Sequence, residues 1–244
     1  MAKELDIVSW NVHLNTFAYD NNYVVETLES LNEPDIVCLQ EYVGGRDEIT
    51  RTWFDEHDYE LAYLPFASFP SDARISQGVM TATKKILQAS VEPIVLREDQ
   101  PRRFRNFPNI RGLLDCTIRL GQQDVHILNF HATFPRPYTV DLRQREFASL
   151  VGHLEKYNEG SPMLLCGDFN FFGKDTRKER LTTDYDSFTG TRTDKTWRHK
   201  NGASPLRANL DYLFWTKDSL DVDAKLLPFN VSDHRPIHAC FTMI

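Results

Sequence analysis

Short runs rich in β-branched and aromatic residues recur along this chain, and they limit what it can fold into more than any other feature. Nine such runs lie at 5–10, 35–40, 78–83, 113–120, 125–131, 163–166, 210–215, 222–227 and 237–243. Each has the length of a β-strand, and these residue types favour a pleated, half-buried surface. The sequence therefore predicts a fold whose core is built from many strands.

Between these runs, apolar residues at three- and four-residue spacing predict amphipathic helices. In the clearest case, Phe147, Leu150 and Leu154 share one face and Thr139 is a candidate N-cap. We predict helices over 22–32, 47–57 and 139–157.

The order of these elements favours an α/β sandwich with stacked sheets inside and helices outside. The segment 121–123, Gly-Gln-Gln, joins two runs at the spacing of a hairpin, so part of the sheet should be antiparallel. Polar stretches broken by Gly and Pro predict long loops at 65–77, 100–110 and 171–208. We find no linker or repeat and expect one domain over 1–244.

Composition excludes several classes of protein. With 41% hydrophobic and 26% charged residues, the 244-residue chain is not disordered, collagen-like or a coiled coil. Its 28 Lys and Arg against 35 Asp and Glu give a net charge of −7. This charge argues against broad electrostatic adhesion to nucleic acid or to an anionic membrane, while a small site neutralised by a metal ion is compatible with it.

Two further expectations concern the environment of the chain. No apolar stretch approaches the roughly 18 residues of a membrane-spanning helix, and the first residues lack the pattern of a secretory signal. We therefore expect no transmembrane segment and a cytoplasmic location. The four cysteines form no C-x-x-C pair, and we expect buried, reduced thiols at Cys38, Cys116, Cys166 and Cys240.

Polar residues stand where apolar runs give way to loops. Asn11, Glu41, His131 and Asp168 each come at the end of a run, and Asp211 lies at the start of another. The tripeptide 232–234, Ser-Asp-His, precedes the last run. Because α/β sheets bind ligands in crevices outside strand ends, these distant residues are candidates for one site.

Their residue types predict chemistry at a phosphoester. Glu41 with an Asn amide oxygen suits a hard divalent cation such as Mg²⁺, which takes few carboxylates and keeps several waters. A carboxylate such as Asp168 can orient or deprotonate an attacking water. A histidine can donate hydrogen bonds to the charge on phosphorus, and Asp211 is the best candidate to pair with His234.

Six short motifs occur in order along the chain: SWN at 9–11, LQE at 39–41, N-x-H at 129–131, GDFN at 167–170, LDYLF at 210–214 and SDH at 232–234. Each is weak alone, but the ordered set resembles the signature of the endonuclease/exonuclease/phosphatase superfamily. The resemblance implies a four-layered α/β sandwich with two mixed β-sheets packed face to face and helices outside. It also implies hydrolysis of a phosphoester that depends on a divalent metal, Mg²⁺ or Mn²⁺.

Carried over motif by motif, the resemblance implies a metal site and the residues around it. Glu41 would ligate the metal with Asn11 beside it, and Asp233 would serve the metal or the histidine network. The segment 78–83 keeps the G-x-A-I-L-S pattern of the superfamily only loosely.

The resemblance also implies the catalytic roles. Asp168 would position the nucleophilic water, Asn170 would contact phosphate or water, and His234 would stabilise charge on phosphorus, oriented by Asp211. His131 matches a second histidine of the deoxyribonuclease, sphingomyelinase and phosphatase branches, whereas apurinic/apyrimidinic endonucleases typically place tyrosine and asparagine in that region. GDFN also differs from the GDTN of the tyrosyl-DNA phosphodiesterase type.

Nucleic acid is the favoured substrate, on the evidence of two basic, aromatic segments. The segment 101–111 interleaves four arginines with two phenylalanines, and 191–201 is basic and contains a tryptophan. Such segments can track a phosphate backbone while their rings stack on bases, although each can equally be a solvated loop. Arg111 resembles a family position that faces the substrate groove. The alternatives are a phosphatase or lipid phosphodiesterase of the inositol phosphate or sphingomyelinase kind, and a catalytically silent binding module.

The other histidines lack a supporting motif. We expect them to pack against strands or face solvent, without binding metal, at His13, His57, His126, His153, His199 and His238.

Overall fold

The computed structural model describes residues 4–69, 71–99, 109–135, 139–157, 161–172, 175–199, 206–228 and 231–244. The α-helices in these ranges are α1 (Leu14–Tyr19), α2 (Asn22–Ser30), α3 (Glu48–Glu56), α4 (Val140–Leu154) and α5 (Thr176–Asp184). Within the described ranges, no helix has both the length and the apolar character needed to cross a membrane.

The β-strands form two mixed sheets and a small ribbon. In chain order they are β1 (Leu5–Asn11), β2 (Ile36–Gly44), β3 (Tyr59–Phe69), β4 (Asp72–Lys84), β5 (Ser90–Asp99), β6 (Asn109–Leu120), β7 (Gln123–His131), β8 (Met163–Asp168), β9 (Tyr185–Phe188), β10 (Trp197–Arg198), β11 (Arg207–Ala208), β12 (Asp211–Thr216), β13 (Leu220–Leu226) and β14 (Ile237–Met243). The first sheet has the order β13-β14-β1-β2-β4-β3, the second β5-β6-β7-β8-β12-β9, and β10 pairs with β11. Each large sheet has one parallel pair, β1 with β2 and β7 with β8, among antiparallel neighbours.

Alternation along the strands builds four layers. Leu5 and Ile7 of β1 join a core that is shared with Ile127 and Cys166 of the second sheet. Val8 lies on the opposite face of β1, in the core formed with α1, α2 and α3. Helices α4 and α5 cover the outer face of the second sheet. The order helix, sheet, sheet, helix confirms the predicted four-layered sandwich.

Two buried amides link the sheets. Gln40 of β2 donates a hydrogen bond from Nε2 to Oδ1 of Asn129 in β7, at 2.9 Å. Asn129 in turn donates from Nδ2 to the backbone oxygen of Met80 in β4, at 2.8 Å. Because an unpaired buried polar group costs about 1–3 kcal/mol, this pairing disfavours sliding of one sheet over the other.

The predicted regular elements are present. All nine predicted strands and all three predicted helices occur, and the hairpin joins β6 to β7. Thr139 stands at the N-cap of α4, but its hydroxyl donates to the backbone oxygen of Phe134 and accepts no capping hydrogen bond from the helix. The short helix α1 was not predicted.

Two of the predicted loops are wrong. The range 65–77 belongs mostly to the hairpin of β3 and β4, and 171–208 contains α5, β9, β10 and β11. Strand β3 lies at a sheet edge, where Pro65 is tolerated because an edge strand need not pair every N–H. Of the third predicted loop, 100–108 lies outside the described residues and 109–110 begins β6.

Candidate active site

The predicted site residues meet at one edge of the stacked sheets. The parallel pairs bring Asn11 of β1 beside β2, and His131 of β7 into register with Asp168 of β8. Asp211 opens β12 directly opposite Asp168. The loop 232–234, before β14, reaches the same edge, since the hydroxyl of Ser232 donates to the backbone oxygen of Asn11 at 2.8 Å.

Asp168 occupies the centre of this arrangement and is 2% exposed. Its Oδ2 accepts a hydrogen bond from Asn11 Nδ2 at 3.0 Å, and its Oδ1 accepts from the Asn170 N–H at 2.9 Å. The Nε2 atoms of His131 and His234 lie 3.7 and 3.9 Å from Oδ2. Both imidazoles therefore face the carboxylate without hydrogen bonding to it.

A β-bulge brings Glu41 into the site. Strand β2 shifts register against β4 between Gln40 and Tyr42, and Glu41 at the shift has a φ of 56°. A bulge re-aims a side chain, and a positive φ at a non-glycine residue is a strain that concentrates at functional sites. Glu41 Oε2 accepts from the Leu14 N–H at 2.7 Å, and Oε1 lies 3.9 Å from His131 Nε2. Regular alternation would instead place Glu41 on the helix-covered face with Leu39.

His234 is held by Asp211. Its Nδ1 lies 2.9 and 3.0 Å from the two carboxylate oxygens of Asp211, which fixes the proton on Nδ1. Its Nε2 is directed at the site, 3.9 Å from both Asp168 and Asp233. The pairing predicted between Asp211 and His234 is therefore present in the geometry.

Two residues of the segment before β11 position this pair, and the sequence analysis missed both. The hydroxyl of Thr196 accepts from the N–H groups of Leu210 and Asp211, at 2.9 and 3.2 Å. Trp197 donates from its indole nitrogen to Asp233 Oδ2 at 3.0 Å. The sequence suggested for 191–201 either a loop that contacts substrate or a solvated loop, and a lone tryptophan in polar sequence was the available signal for a structural role.

Close approach of two strands places Asp168 beside His131. Gly167 has a φ of 135°, and a Cβ there would lie 1.8 Å from the backbone oxygen of Phe130, so only glycine fits. Beyond Asp168, Asn170 has a φ of 50° and donates from Nδ2 to the backbone oxygen of Ala132 at 3.0 Å. Asn170 thereby ties together the loops that follow β7 and β8.

The surroundings of the site shift the pKa values of three of its residues in different ways. Burial raises the pKa of Asp168 to about 8, against the opposing effect of His234. Burial alone lowers the pKa of His234, but Asp211 and the other carboxylates raise it to about 10. Burial, Arg111 and His234 lower the pKa of His131 well below its usual value. At neutral pH, His234 is a cation and His131 is neutral.

Aromatic side chains lie close to the site. The Arg111 guanidinium lies 4.9 Å from the ring centroid of Phe66, and its charge acts on His131. Phe134 and Phe172 follow β7 and β8, are 50% and 36% exposed, and meet edge to face at 5.9 Å. Phe172 also contacts Trp197, with ring centroids 5.9 Å apart.

The donor set fits a hard divalent cation. Asp233 Oδ1 is buried and has no hydrogen-bond partner among the described residues. The amide oxygen of Asn11 accepts from the His13 N–H at 3.0 Å and retains a second lone pair. With Glu41, these oxygens match the preference of Mg²⁺. Asp168, Asp211 and His234 also offer atoms within 4.8 Å of one another, but both Asp211 oxygens already face His234 Nδ1.

Comparison with known proteins agrees with the geometry. Residues 8–234 match the sequence pattern of the Endonuclease/Exonuclease/phosphatase family, a class of phosphoester hydrolases that depend on divalent metals. The chain belongs to this family, as its six motifs predicted. Among curated proteins, none matches the chain.

Solved structures share the fold at low sequence identity. The human Nocturnin catalytic domain with bound sulfate anion is 17% identical with a TM-score of 0.74, covering 100% of this chain and 96% of that one. An endonuclease/exonuclease/phosphatase from Bacteroides vulgatus is 14% identical with a TM-score of 0.74, covering 99% and 100%. D. rerio TDP2 complexed with single strand DNA product is 18% identical with a TM-score of 0.68, covering 98% and 99%.

Proposed function

We propose that this chain is a Mg²⁺- or Mn²⁺-dependent phosphodiesterase that cleaves nucleic acid by attack of water on phosphorus. One observation carries the proposal: His131 and His234 both direct Nε2 at a single buried oxygen of Asp168, at 3.7 and 3.9 Å. A carboxylate flanked in this way can take a proton from water while its neighbours bind the phosphate.

Asp168 is the group that orients the attacking water and accepts its proton. A pKa of about 8 in the metal-free site is close to the working pH, where a general base is most effective. Hydrogen bonds from Asn11 and Asn170 fix the carboxylate, so its orientation is set before substrate binds.

His234, protonated at neutral pH, donates from Nε2 to the charge that develops on the phosphate oxygens. Asp211 holds the ring in position, and we expect the rate to fall on the alkaline side as His234 loses its proton near pH 10. His131 is neutral and is placed to donate a hydrogen bond from Nε2 to the leaving oxygen. A cation held by Glu41, Asn11 and Asp233 would supply Lewis acidity at the phosphate.

The exposed pair Phe134 and Phe172 supports a nucleic acid substrate, because it offers ring faces beside the phosphate site. Arg111 adds a positive charge on the same side, in keeping with its predicted role in substrate binding. Phosphatase and lipid phosphodiesterase activities use the same phosphate chemistry, but neither needs these rings.

One domain over 1–244 and a cytoplasmic location stay predictions from the sequence.

The direct test is a substrate panel with Mg²⁺, with Mn²⁺ and with EDTA. We expect cleavage of single-stranded DNA or RNA that EDTA abolishes. Hydrolysis confined to phosphomonoesters, inositol phosphates or sphingomyelin would refute the nuclease assignment. If no substrate is turned over with either metal, the proposed activity is refuted and the alternative of a catalytically silent binding module is favoured.

The aromatic pair gives a sharper test of substrate class. Base stacking on an aromatic side chain is worth about 1–3 kcal/mol, so Phe172→Ala should raise KM for a single-stranded oligonucleotide by roughly 5- to 150-fold. Turnover of a small model diester, which does not reach the rings, should stay unchanged. Equal effects on both substrates would show that Phe172 acts only through the fold.

A further inference from the structure

A second cluster of metal-ligating side chains lies away from the active site, on the outer face of the first sheet. Asp6 of β1 stands directly opposite Cys240 of β14, and His238 lies two residues before Cys240. Directly opposed residues of an antiparallel pair share a face. His238 opposes Val8, which packs beneath the helices, so the cluster begins where that helix-covered core ends.

The three side chains converge on one point. Cys240 Sγ lies 2.8 Å from Asp6 Oδ1, and His238 Nε2 lies 3.2 Å from the same oxygen. One atom of each residue lies within 4.8 Å of the others. A separation of about 3.3 Å is also what two ligands at about 2.0 Å make around a tetrahedral ion.

His238 gives an independent indication of a missing partner. It is 8% exposed, and its Nε2 lies 3.2 Å from Asp6 Oδ1 as an ion pair but meets hydrogen-bond geometry with no group of the described residues. A buried imidazole nitrogen usually has a partner, and a metal ion is one of the few partners that accept this geometry.

We propose that Asp6, His238 and Cys240 form a second metal site, for a zinc-class divalent cation. Thiolate and imidazole ligands select Zn²⁺ over Mg²⁺, whereas the active site offers mainly oxygen. Binding replaces the Cys240 S–H bond by a sulfur–metal bond and releases the proton to solvent. This proposal departs from the sequence-based expectation that His238 binds no metal.

The surroundings of the cluster leave room for a fourth ligand. Asp223 of β13 opposes Cys240 on its other side, so its carboxylate lies on the same face. Lys225 opposes His238 in the same way and is exposed, which allows its long side chain to move into solvent. Asp223 or a water completes the tetrahedron.

The position of the cluster indicates its role. An ion there joins β1 to β14, two strands from opposite ends of the chain, and both strands lead to the active site at their far ends. β1 ends at Asn11, and the loop that carries His234 enters β14. Because an ion that binds only the folded protein stabilises it by mass action, the site acts as a clip between these strands.

The test uses the full chain with Mg²⁺ in large excess and Co²⁺ as a spectroscopic substitute for Zn²⁺. We expect one equivalent of Co²⁺ to give a thiolate-to-cobalt charge-transfer band, and Zn²⁺ to displace it and raise Tm. Cys240→Ser should abolish the band. His238→Gln should weaken binding by at least about 100-fold, beyond the 10- to 100-fold typical of outer-shell changes.

Two variants serve as controls. His57→Gln alters a histidine outside both clusters, and Glu41→Gln removes an active-site oxygen; both should keep the band. No band in the wild type, a band that survives Cys240→Ser, or one lost in Glu41→Gln would each overturn the proposal. If Cys240→Ser does not fold, Asp6→Asn replaces it: this variant keeps the shape of the side chain but loses an anionic ligand, so it should weaken Co²⁺ binding, and an unchanged affinity would overturn the proposal. None of these outcomes depends on phosphodiesterase activity.

Discussion

Two buried aspartates on the second sheet have similar neighbours and opposite properties. Asp115 of β6 is 6% exposed and lies close to His126 and His153, at 3.2 and 3.6 Å, and it also accepts a hydrogen bond from the Tyr157 hydroxyl. These partners lower its pKa in spite of burial. Asp168 is 2% exposed and also faces two histidines, but at 3.7 and 3.9 Å, and burial raises its pKa to about 8.

The difference teaches that proximity to histidine does not define a catalytic carboxylate. Asp115, packed between β6 and α4, is held ionised by groups that touch it. Within the described part of the chain, the hydrogen bonds that Asp168 receives come from neutral amides, so its pKa of about 8 lies near neutral pH. A structural carboxylate is fully paired, and a carboxylate that must accept a proton is not.

The largest expected effect is on catalysis at Asp168. Asp168→Asn keeps the shape of the side chain and one of its two acceptor oxygens but cannot take a proton from water, so kcat should fall by about 10²- to 10⁴-fold. Steady-state kinetics on the oligonucleotide substrate, with Tm measured alongside, checks this. Wild-type turnover in this variant would remove Asp168 from the mechanism.

The matched change at Asp115 should affect stability instead. Asp115 accepts hydrogen bonds from His126 and Tyr157 on its two oxygens, and Asp115→Asn leaves one acceptor oxygen. Leaving a buried donor unpaired costs about 1–3 kcal/mol. Urea unfolding should show this loss, while kcat and KM at low temperature stay unchanged. A folded Asp115→Asn protein with strongly reduced kcat would contradict the assignment of a structural role to Asp115 and a catalytic role to Asp168.

The smallest effect, and the sharpest, is the pH dependence of stability. The folded state raises the pKa of Asp168 from 3.8 to about 8, so between these values it holds a proton that the unfolded chain releases. Metal-free protein should therefore lose stability at Asp168 as pH rises through this window, whereas the lowered pKa of Asp115 gives stability that is lost as pH falls below about 4.

Unfolding in urea with EDTA, from about pH 5 to about pH 8, measures this. The wild type should lose free energy of unfolding as pH rises, and Asp168→Asn should not show this loss. The difference between the two proteins should therefore increase by about 1 kcal/mol or more over this range. Parallel curves for the two proteins would mean that Asp168 is ionised throughout.

The interior of both sheets could be predicted from the sequence, and the edges mostly could not. Every interior strand was predicted, because a strand with two neighbours in a buried layer must be rich in apolar residues. Three edge strands were missed. β3 and β5 carry Pro65 and Pro93, and β9 spans only Tyr185–Phe188, so none shows the expected pattern.

The site was predictable to the same extent, for a related reason. Residues at the ends of interior strands, such as Asp168 and His131, could be recognised because each follows an apolar run and belongs to a short motif. Trp197 opens the two-residue strand β10 and Thr196 directly precedes it, and a strand of this length is too short to show a period. Their contacts to Asp211 and Asp233 arise from how that ribbon folds against the loop before β14.

The amide pair of Gln40 and Asn129 links two sheets that each supply part of the candidate active site. Asn11, Glu41 and the loop carrying His234 come from one sheet, while His131, Asp168 and Asp211 come from the other. The two amides therefore hold the two sheets, and with them the two groups of site residues, in a fixed relative position. Replacing Asn129 by an apolar residue of similar size would let the sheets drift by fractions of an ångström, and turnover would decline well before the protein began to melt.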